Sequence, residues 1–334
     1  MIDSVSNTIQ RRLVSSQRIA IVSHVRPDQD AIGSMLGLGL ALQHHQKQVD
    51  LILADGVPYN LHFLPGWEGI VRQPTFQPDL IVVLDCSDLQ RVGGVLGDCV
   101  PDINIDHHIT NLNFAKANLV IPEAVATAAI LAEYLPEWGF EVDVRAASAL
   151  LTGIIGDTLG FKTSNMNPKA LRLAATLMEK GANLPELYNQ SLNRRSFEAA
   201  RYWGCGLGKL KKKGKLIWTE LTLEDRKAVA YPGNDDADLV NVLTSINSGT
   251  IAVIFIEQKD GKVKVSWRSQ PGYDVSGIAV QFGGGGHPAA SGAEISGDLI
   301  TVREKVLEAT QLLIQDGKKP LSVEQNHGEM MNGR

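Results

Sequence analysis

The sequence predicts an α/β fold in two parts. The first is an N-terminal, mostly parallel sheet with helices on both faces; the second is a smaller mixed α/β domain. Three observations predict it. Short apolar runs alternate with helical patterns as far as about residue 190, the order expected of parallel strands joined by crossover helices. Beyond that point the texture changes to strands paired through a tight turn. And 334 residues, 44% hydrophobic and 21% charged, suffice for two domains that each bury a core.

The elements follow in order. Residues 18–23 (RIAIVS) form an apolar run bounded by polar residues and read as a buried strand. Residues 31–43, rich in Ala, Leu and Met, read as a helix in spite of three glycines. Strand-like runs come next at 49–54, 80–84 and 103–105, then helical patterns at 125–138, 144–155 and 169–180. Residues 193–200 (NRRSFEAA) have the character of a polar linker or linker helix. After a strand at 216–221, strands at 250–257 and 262–268 flank the turn signal Lys259-Asp260-Gly261 and predict a hairpin. A helix at 274–282 leads into Gly283–Gly286 and His287, and a helix at 299–314 closes the fold. The expected division is a first domain at 1–190, a linker at 191–205, a second domain at 206–320 and a polar tail at 321–334.

Charge and composition exclude several classes. The net charge is −5, but residues 1–190 hold 13 Lys+Arg against 20 Asp+Glu, whereas residues 191–334 hold 19 against 17. An acidic first half is a poor non-specific binder of long polyanions, which argues against a stable complex with long nucleic acid. Bound divalent cations would offset that charge and suit a short phosphate-bearing substrate. Three cysteines without metal spacing (Cys86, Cys99, Cys205) argue against a disulfide scaffold. No run of about 18 apolar residues is present, so no membrane span is expected. The first residues lack the order of a signal peptide, and the expected compartment is the cytoplasm.

Four short segments carry the chemistry, each where a strand or helix is expected to end: His24-x3-Asp28-x-Asp30, Asp85 in LDCSD, Asp106-His107-His108, and Asp157 in GIIGDT. Together they offer two imidazole and four carboxylate ligands, about what a pair of divalent metals needs. The simplest reading is a two-metal phosphoester hydrolase. In parallel sheets ligands collect at the carboxyl ends of strands, and His24, Asp85 and Asp106 each follow an apolar run.

Each segment also has a bland reading. Asp30 could cap the helix that follows it, although capping leaves Asp28 and His24 unexplained; in an extended loop Asp28 and Asp30 would point the same way. A carboxylate at Asp85, ending an apolar strand, must be solvated, paired or metal-bound. Asp106 is a candidate partner for an imidazole of His107 or His108. Asp157 at a helix C-terminus opposes the helix dipole, a local penalty that a cation would relieve. In the second half, the amides of Gly283, Gly284, Gly285 and Gly286 could form an anion nest, with His287 and the fork of Arg268 donating to the same anion. The Lys211–Lys213 run reads as solvated surface.

These segments resemble the motifs of the DHH phosphoesterase family: SHVRPDQDAIGS (23–34), LDCSD (84–88), IDHH (105–108) and GIIGDTLGFKTSN (153–165). GGGGHPAASG (283–292) is similar to the glycine-rich signature of the DHH-associated C-terminal domain. The likeness runs over roughly residues 15–315. Two-domain length places it nearest the NrnA-type oligoribonuclease and pAp-phosphatase group rather than the longer RecJ exonucleases. The resemblance implies two divalent cations per chain, with Mn²⁺ the best guess. His24, Asp28 and Asp85 would hold one; Asp30, Asp85, His107 and Asp157 the other, with Asp85 bridging. It implies His108 near the scissile phosphate, Asp106 supporting the catalytic histidines, and Arg268 and His287 clamping the substrate's phosphates in a cleft between the domains. Substrates would be short single-stranded RNA, dinucleotides, or 3′-phosphoadenosine 5′-phosphate (pAp), and a homodimer is plausible. The rival readings are a cyclic dinucleotide (c-di-AMP) phosphodiesterase and a catalytically inactive nucleotide-binding regulator; the complete ligand set argues against the latter.

Overall fold

The structure, a computed structural model, describes residues 2–247 and 249–315; the polar tail expected at 321–334 lies outside them. The chain divides into two compact units, Met1–Arg194 and Arg195–Arg334.

The first unit runs α1 (Ile2–Ser15), β1 (Arg18–Val22), α2 (Gln29–His44), β2 (Gln48–Ile52), β3 (Ile70–Val71), β4 (Leu80–Leu84), β5 (Ile103–Asp106), β6 (Ala117–Val120), α3 (Thr127–Glu137), α4 (Val144–Asp157), α5 (Pro168–Glu179) and α6 (Leu184–Tyr188). Its six strands are ordered β3-β2-β1-β4-β5-β6, and every pairing is parallel. Side-chain alternation sorts the strands onto two faces. Ile19, Ile21, Val82, Leu84, Ile103 and Ile105 face the main core with α1 to α5. Ala20, Val22, Ile52 and Val83 face a smaller cluster with Cys86, Val92 and Leu96. The chain builds β1 to β3 in one direction and β4 to β6 in the other, so crossovers of one hand must fall on opposite faces. On the second face the helical layer expected from the sequence is reduced to a 3₁₀ turn at Leu89–Val92 and loops. The ten residues between β5 and β6 hold no helix, and the longer connection between β4 and β5 holds only that turn.

The three glycines inside α2 have a packing reason. A Cβ at Gly33 would meet the Ala149 carbonyl oxygen at 2.5 Å and the Gly153 nitrogen at 2.8 Å; one at Gly153 would meet the Ala128 Cβ at 2.6 Å and the Asp30 Oδ1 at 2.9 Å. The backbones of α2 and α4 therefore cross in direct contact, which a side chain at either position would prevent.

The second unit contains α7 (Phe197–Gly208), β7 (Lys211–Lys213), β8 (Leu216–Leu221), α8 (Leu223–Ala228), α9 (Leu239–Leu243), β9 (Ile251–Glu257), β10 (Lys262–Ser269), α10 (Ser276–Gln281), β11 (Gly285–His287), β12 (Ala290–Ser296) and α11 (Leu299–Gln315). Its mixed sheet is ordered β11-β12-β10-β9-β8-β7, with only β8 and β9 parallel. Val253, Phe255, Val265 and Trp267 face one core, and Ile254 and Ile256 face another built with Tyr202 and Leu239.

Two expectations change here. The stretch 191–205, expected as a linker, is largely occupied by α7, a helix capped by Ser196 whose Tyr202 is wholly buried in the second unit's core. Its polar start hid the apolar face that follows. The Lys211–Lys213 run is surface, as read, but forms the edge strand β7, where lysines discourage pairing with another sheet.

Candidate metal centre

The strand order puts β1 beside β4, while the chain leaves these two strands in opposite directions. Such a reversal opens a crevice at the carboxyl ends of the strands. His24 lies two residues past β1, Asp85 directly follows β4, and Asp106 ends β5 with His107 and His108 after it. The α2 N-terminus contributes Asp28 and Asp30, and α4 ends on Asp157. The close crossing of α2 and α4 sets the spacing of the last two.

The side chains converge. His24 Nε2 is 3.6 Å from Asp85 Oδ2, and His107 Nε2 is 3.7 Å from Asp85 Oδ1, 3.9 Å from Asp30 Oδ2 and 3.5 Å from Asp157 Oδ2. Three groups have donor atoms all within 4.8 Å of one another: His24, Asp28 and Asp85; Asp30, His107 and Asp157; and Asp85, His107 and His108. Asp85 sits among all three imidazoles. It adopts a left-handed backbone conformation (φ 52°) while its amide still donates to Ile105 O at 3.0 Å. That conformation costs an L-residue about 1–2 kcal/mol, and such strain clusters at functional positions.

Each imidazole is aimed by its other nitrogen. His24 Nδ1 lies 2.9 Å from Val25 O and His107 Nδ1 3.3 Å from Ala124 O, so both present Nε2 to the carboxylates. Asp106, wholly buried, serves His108 rather than the His107 ring: its Oδ1 is 2.7 Å from His108 Nδ1 and accepts the His107 amide at 2.8 Å. The capping reading also needs correction. Asp28, not Asp30, caps α2, its Oδ1 accepting the amides of Asp30 and Ala31. No extended loop places Asp28 and Asp30 alike; Asp30 lies in the helix's first turn. There it accepts the amides of Thr127 (2.6 Å) and Ala128 (2.9 Å), the start of α3, which has no side-chain cap of its own.

The electrostatics of the cluster favour positive charge. Burial first, and then the neighbouring carboxylates Asp85 and Asp157, push Asp30 well up; Asp28, whose residue surface is exposed, is raised by the partial desolvation of its carboxyl and by the Asp85 charge. Asp157 rises to about 7, from burial opposed by His107. Asp85 goes the other way: burial opposes its ionisation, but His24, His107 and His108 outweigh it. The His108 imidazole rises to about 9 because the bond to Asp106 and the charge of Asp85 overcome burial. Carboxylates crowded out of water to this degree favour a positive partner. Nitrogen and oxygen donors in overlapping groups fit divalent cations of the Mn²⁺, Fe²⁺, Co²⁺ or Zn²⁺ kind.

Sequence reasoning missed two residues. Thr127, wholly buried, donates its amide to Asp30 and its Oγ1 to Asp85 Oδ1 at 3.1 Å. Asn111 donates from Nδ2 to Asp106 Oδ2 at 2.6 Å. Thr127 stands in an ordinary helical run, AVATAAI, and nothing local marks it; Asn111, five residues past Asp106, was findable only as a turn residue. Replacing Thr127 with valine keeps shape and backbone bond but removes the hydroxyl from Asp85. Mn²⁺ affinity by calorimetric titration is expected to fall roughly 10–100-fold, as for other partners of ligands, with Thr127→Ser retaining it. Unchanged affinity would remove Thr127 from the site.

In the second unit, Arg268 and His287 both pair with Ala290, on adjacent strands. They therefore occupy one row and one face of the sheet, roughly 10 Å apart at two strand spacings. Arg268 Nε donates to Asn241 Oδ1 at 3.1 Å and Nη1 to Trp267 O at 3.0 Å, which fixes the guanidinium. The glycine nest is not formed as expected. The amides of Gly283 and Gly284 close α10 by donating to Val280 O and Ala279 O, and Gly285 and Gly286 lie in β11. A Cβ at Gly284 would fall 2.1 Å from Gly292 O, so close backbone approach explains that glycine.

The chain belongs to the DHH family: the family's N-terminal domain matches residues 18–154, and the DHHA1 domain matches residues 231–316. Among its relatives is the bifunctional oligoribonuclease and PAP phosphatase NrnA of Thermus thermophilus, 37% identical over 297 residues that cover 88% of this chain and 89% of that one. The protein of the same name from Bacillus subtilis is 30% identical over 83% of this chain and 89% of its own. The solved structure of an exopolyphosphatase-related protein from Bacteroides fragilis superposes with a TM-score of 0.87 at 27% identity, covering 94% of this chain and 98% of that one. No helix among the described residues is long and apolar enough to cross a membrane.

Proposed function

We propose that this protein is a metal-dependent phosphoesterase that hydrolyses short oligoribonucleotides to mononucleotides and pAp to AMP. The observation that carries the reading is the convergence of the donor groups on Asp85 at the reversal point of the sheet. The relatives that match along most of their length bear both activities in their names. His24, Asp28 and Asp85 would hold one divalent cation, and Asp30, Asp85, His107 and Asp157 a second, with Mn²⁺ the favoured ion. Bound there, the pair would acidify a water and neutralise phosphate charge.

The chain's own groups do the rest. Val25 O and Ala124 O hold the imidazoles of His24 and His107 in one tautomer, with Nε2 toward the carboxylates. Asp106, itself held by Asn111, keeps a proton on His108 Nδ1 and favours the imidazolium. That cation would donate to an oxygen of the scissile phosphate. Arg268 and His287 would bind the substrate's phosphates. Replacing Arg268 with alanine is expected to raise KM at least about tenfold, the usual effect of losing a hydrogen bond to a charged group; if neither KM nor kcat moves, Arg268 is not a phosphate ligand.

The test is a competition among pAp, a two-residue RNA, a 24-residue RNA and c-di-AMP, with Mn²⁺ present and kcat/KM as the score. Preference for the dinucleotide and pAp supports the reading. Preference for c-di-AMP would replace it with turnover of a cyclic dinucleotide, and preference for the long strand would overturn the limit on substrate length.

A further inference from the structure

One corner of the first unit pairs exposed aromatic and basic groups beside the candidate centre, and nothing above uses them. Tyr59, on the chain leaving the carboxyl end of β2, is 88% exposed. Its ring meets His62 edge-on at 5.3 Å, and His62 lies flat on Trp67 at 3.6 Å with 6° between the planes. The His62 ring is further tied to Val57 O at 3.2 Å. The tyrosine thus stands on a braced pair of rings, with its own face open to solvent.

Two links hold this corner against the candidate site. The amide of Arg26, inside the loop between His24 and Asp28, donates to Asp55 Oδ2 at 2.6 Å. Tyr59 follows Asp55 by four residues, so the chain allows at most roughly 14 Å between their Cα atoms. On the other side, the turn at Tyr59–Leu61 packs against Asn189–Asn193, whose Ser191 O accepts from Gln29 Nε2 at 2.9 Å; Gln29 stands between Asp28 and Asp30.

Two guanidinium groups also border the corner, alongside the carboxylates of Asp55 and Glu68. Arg26 is exposed and held in a left-handed conformation (φ 56°). The Arg72 guanidinium lies over Gly56, 3.5 Å from where a Cβ there would stand. An isolated exposed tyrosine or arginine is ordinary surface. An open ring braced by a stacked pair, with two guanidinium residues on the segments that bound it, matches instead how proteins hold single-stranded nucleic acid: aromatic platforms for bases and cations for the backbone.

We propose that Tyr59, with Arg26 and Arg72, forms a nucleotide subsite that stacks one base of a short single-stranded RNA. This rests on the functional reading above and adds to it a reason for accepting an oligonucleotide as well as a mononucleotide bisphosphate. The subsite takes any base, because every base offers a π-face, and selects for single strands, because a paired base is not free to stack.

The test compares wild type, Tyr59→Ala and Tyr59→Phe on a two-residue RNA and on its two singly abasic analogues. Tyr59→Ala is expected to raise KM for the intact dinucleotide on the order of tenfold, with the loss concentrated in KM rather than kcat. Tyr59→Phe, which keeps the ring, is expected to retain wild-type KM. On one of the two abasic analogues, Tyr59→Ala is expected to cause no further loss, since the base it would stack is gone. An unchanged KM in Tyr59→Ala, or an equal loss on both abasic analogues, overturns the subsite. A wild-type protein that hydrolyses no dinucleotide overturns the underlying functional reading instead, so the two failures are told apart.

Discussion

Asp85→Asn is expected to lower kcat/KM on short oligoribonucleotides by about 10³-fold or more, beyond the roughly 10–100-fold typical of residues that only support a ligand. Asp85 is 2% exposed and lies 3.6 to 3.8 Å from a nitrogen of each of His24, His107 and His108. No other carboxylate is shared in this way between the donor groups. Asparagine preserves size and the bond from Thr127 while removing the negative charge that would be shared between two cations. The companion measurement is thermal unfolding with and without Mn²⁺. Ligands that bind only the folded state raise its stability, so wild type is expected to gain in Tm with the metal and Asp85→Asn to gain much less. A variant that turns over near the wild-type rate would remove Asp85 from the centre of the site.

The second large effect is on stability and runs against helix propensity. Within a helix, Gly→Ala ordinarily stabilises by about 1 kcal/mol. Gly33→Ala is expected to destabilise by roughly 1–3 kcal/mol, the range for overpacking, because the new methyl meets backbone atoms of Ala149 and Gly153 that cannot turn aside. For a unit of this size that is a fall in Tm of about 2–4 °C per kcal/mol. Gly153→Ala presses on the Asp30 carboxylate as well, and is expected to weaken metal binding along with stability. Gly204 in α7 is the control: nothing lies within 4 Å of a Cβ there, so Gly204→Ala is expected to stabilise. If Gly33→Ala raises Tm as Gly204→Ala does, the two helices do not cross at backbone contact.

Much of the molecule was legible in the sequence for reasons that can be named. Apolar runs of five residues marked β1 and β4 because their strands are buried on both faces and need no polar alternation. Composition and periodicity placed α2, α4 and α5 within two residues of their ends, whereas the cap of α2 is Asp28 and not Asp30. Short strands escaped. The segments β3 and β6 have too few residues for a pattern to show, and the polar residues NRRS just before α7 give that stretch the look of a linker.

The donor residues themselves were readable from type and position, since a carboxylate or imidazole at the end of an apolar strand has few stable environments. Their supports were not. Thr127 reaches Asp30 across 97 positions of sequence, and although Asp28 caps α2 and Asp106 holds His108 within three residues, only side-chain orientation chose between neighbouring candidates of the same type. The glycines make the same division. Composition shows that α2 contains them, but only the crossing with α4 shows that Gly33 and Gly153 let two backbones touch and bring Asp30 and Asp157 to one site. What the sequence determined by itself was the alternation of elements and the chemistry at their ends, because both are set by local periodicity and residue type. Orientation, partner and charge balance were decided by the tertiary structure, because hydrogen bonds and desolvation depend on distances that no local pattern encodes.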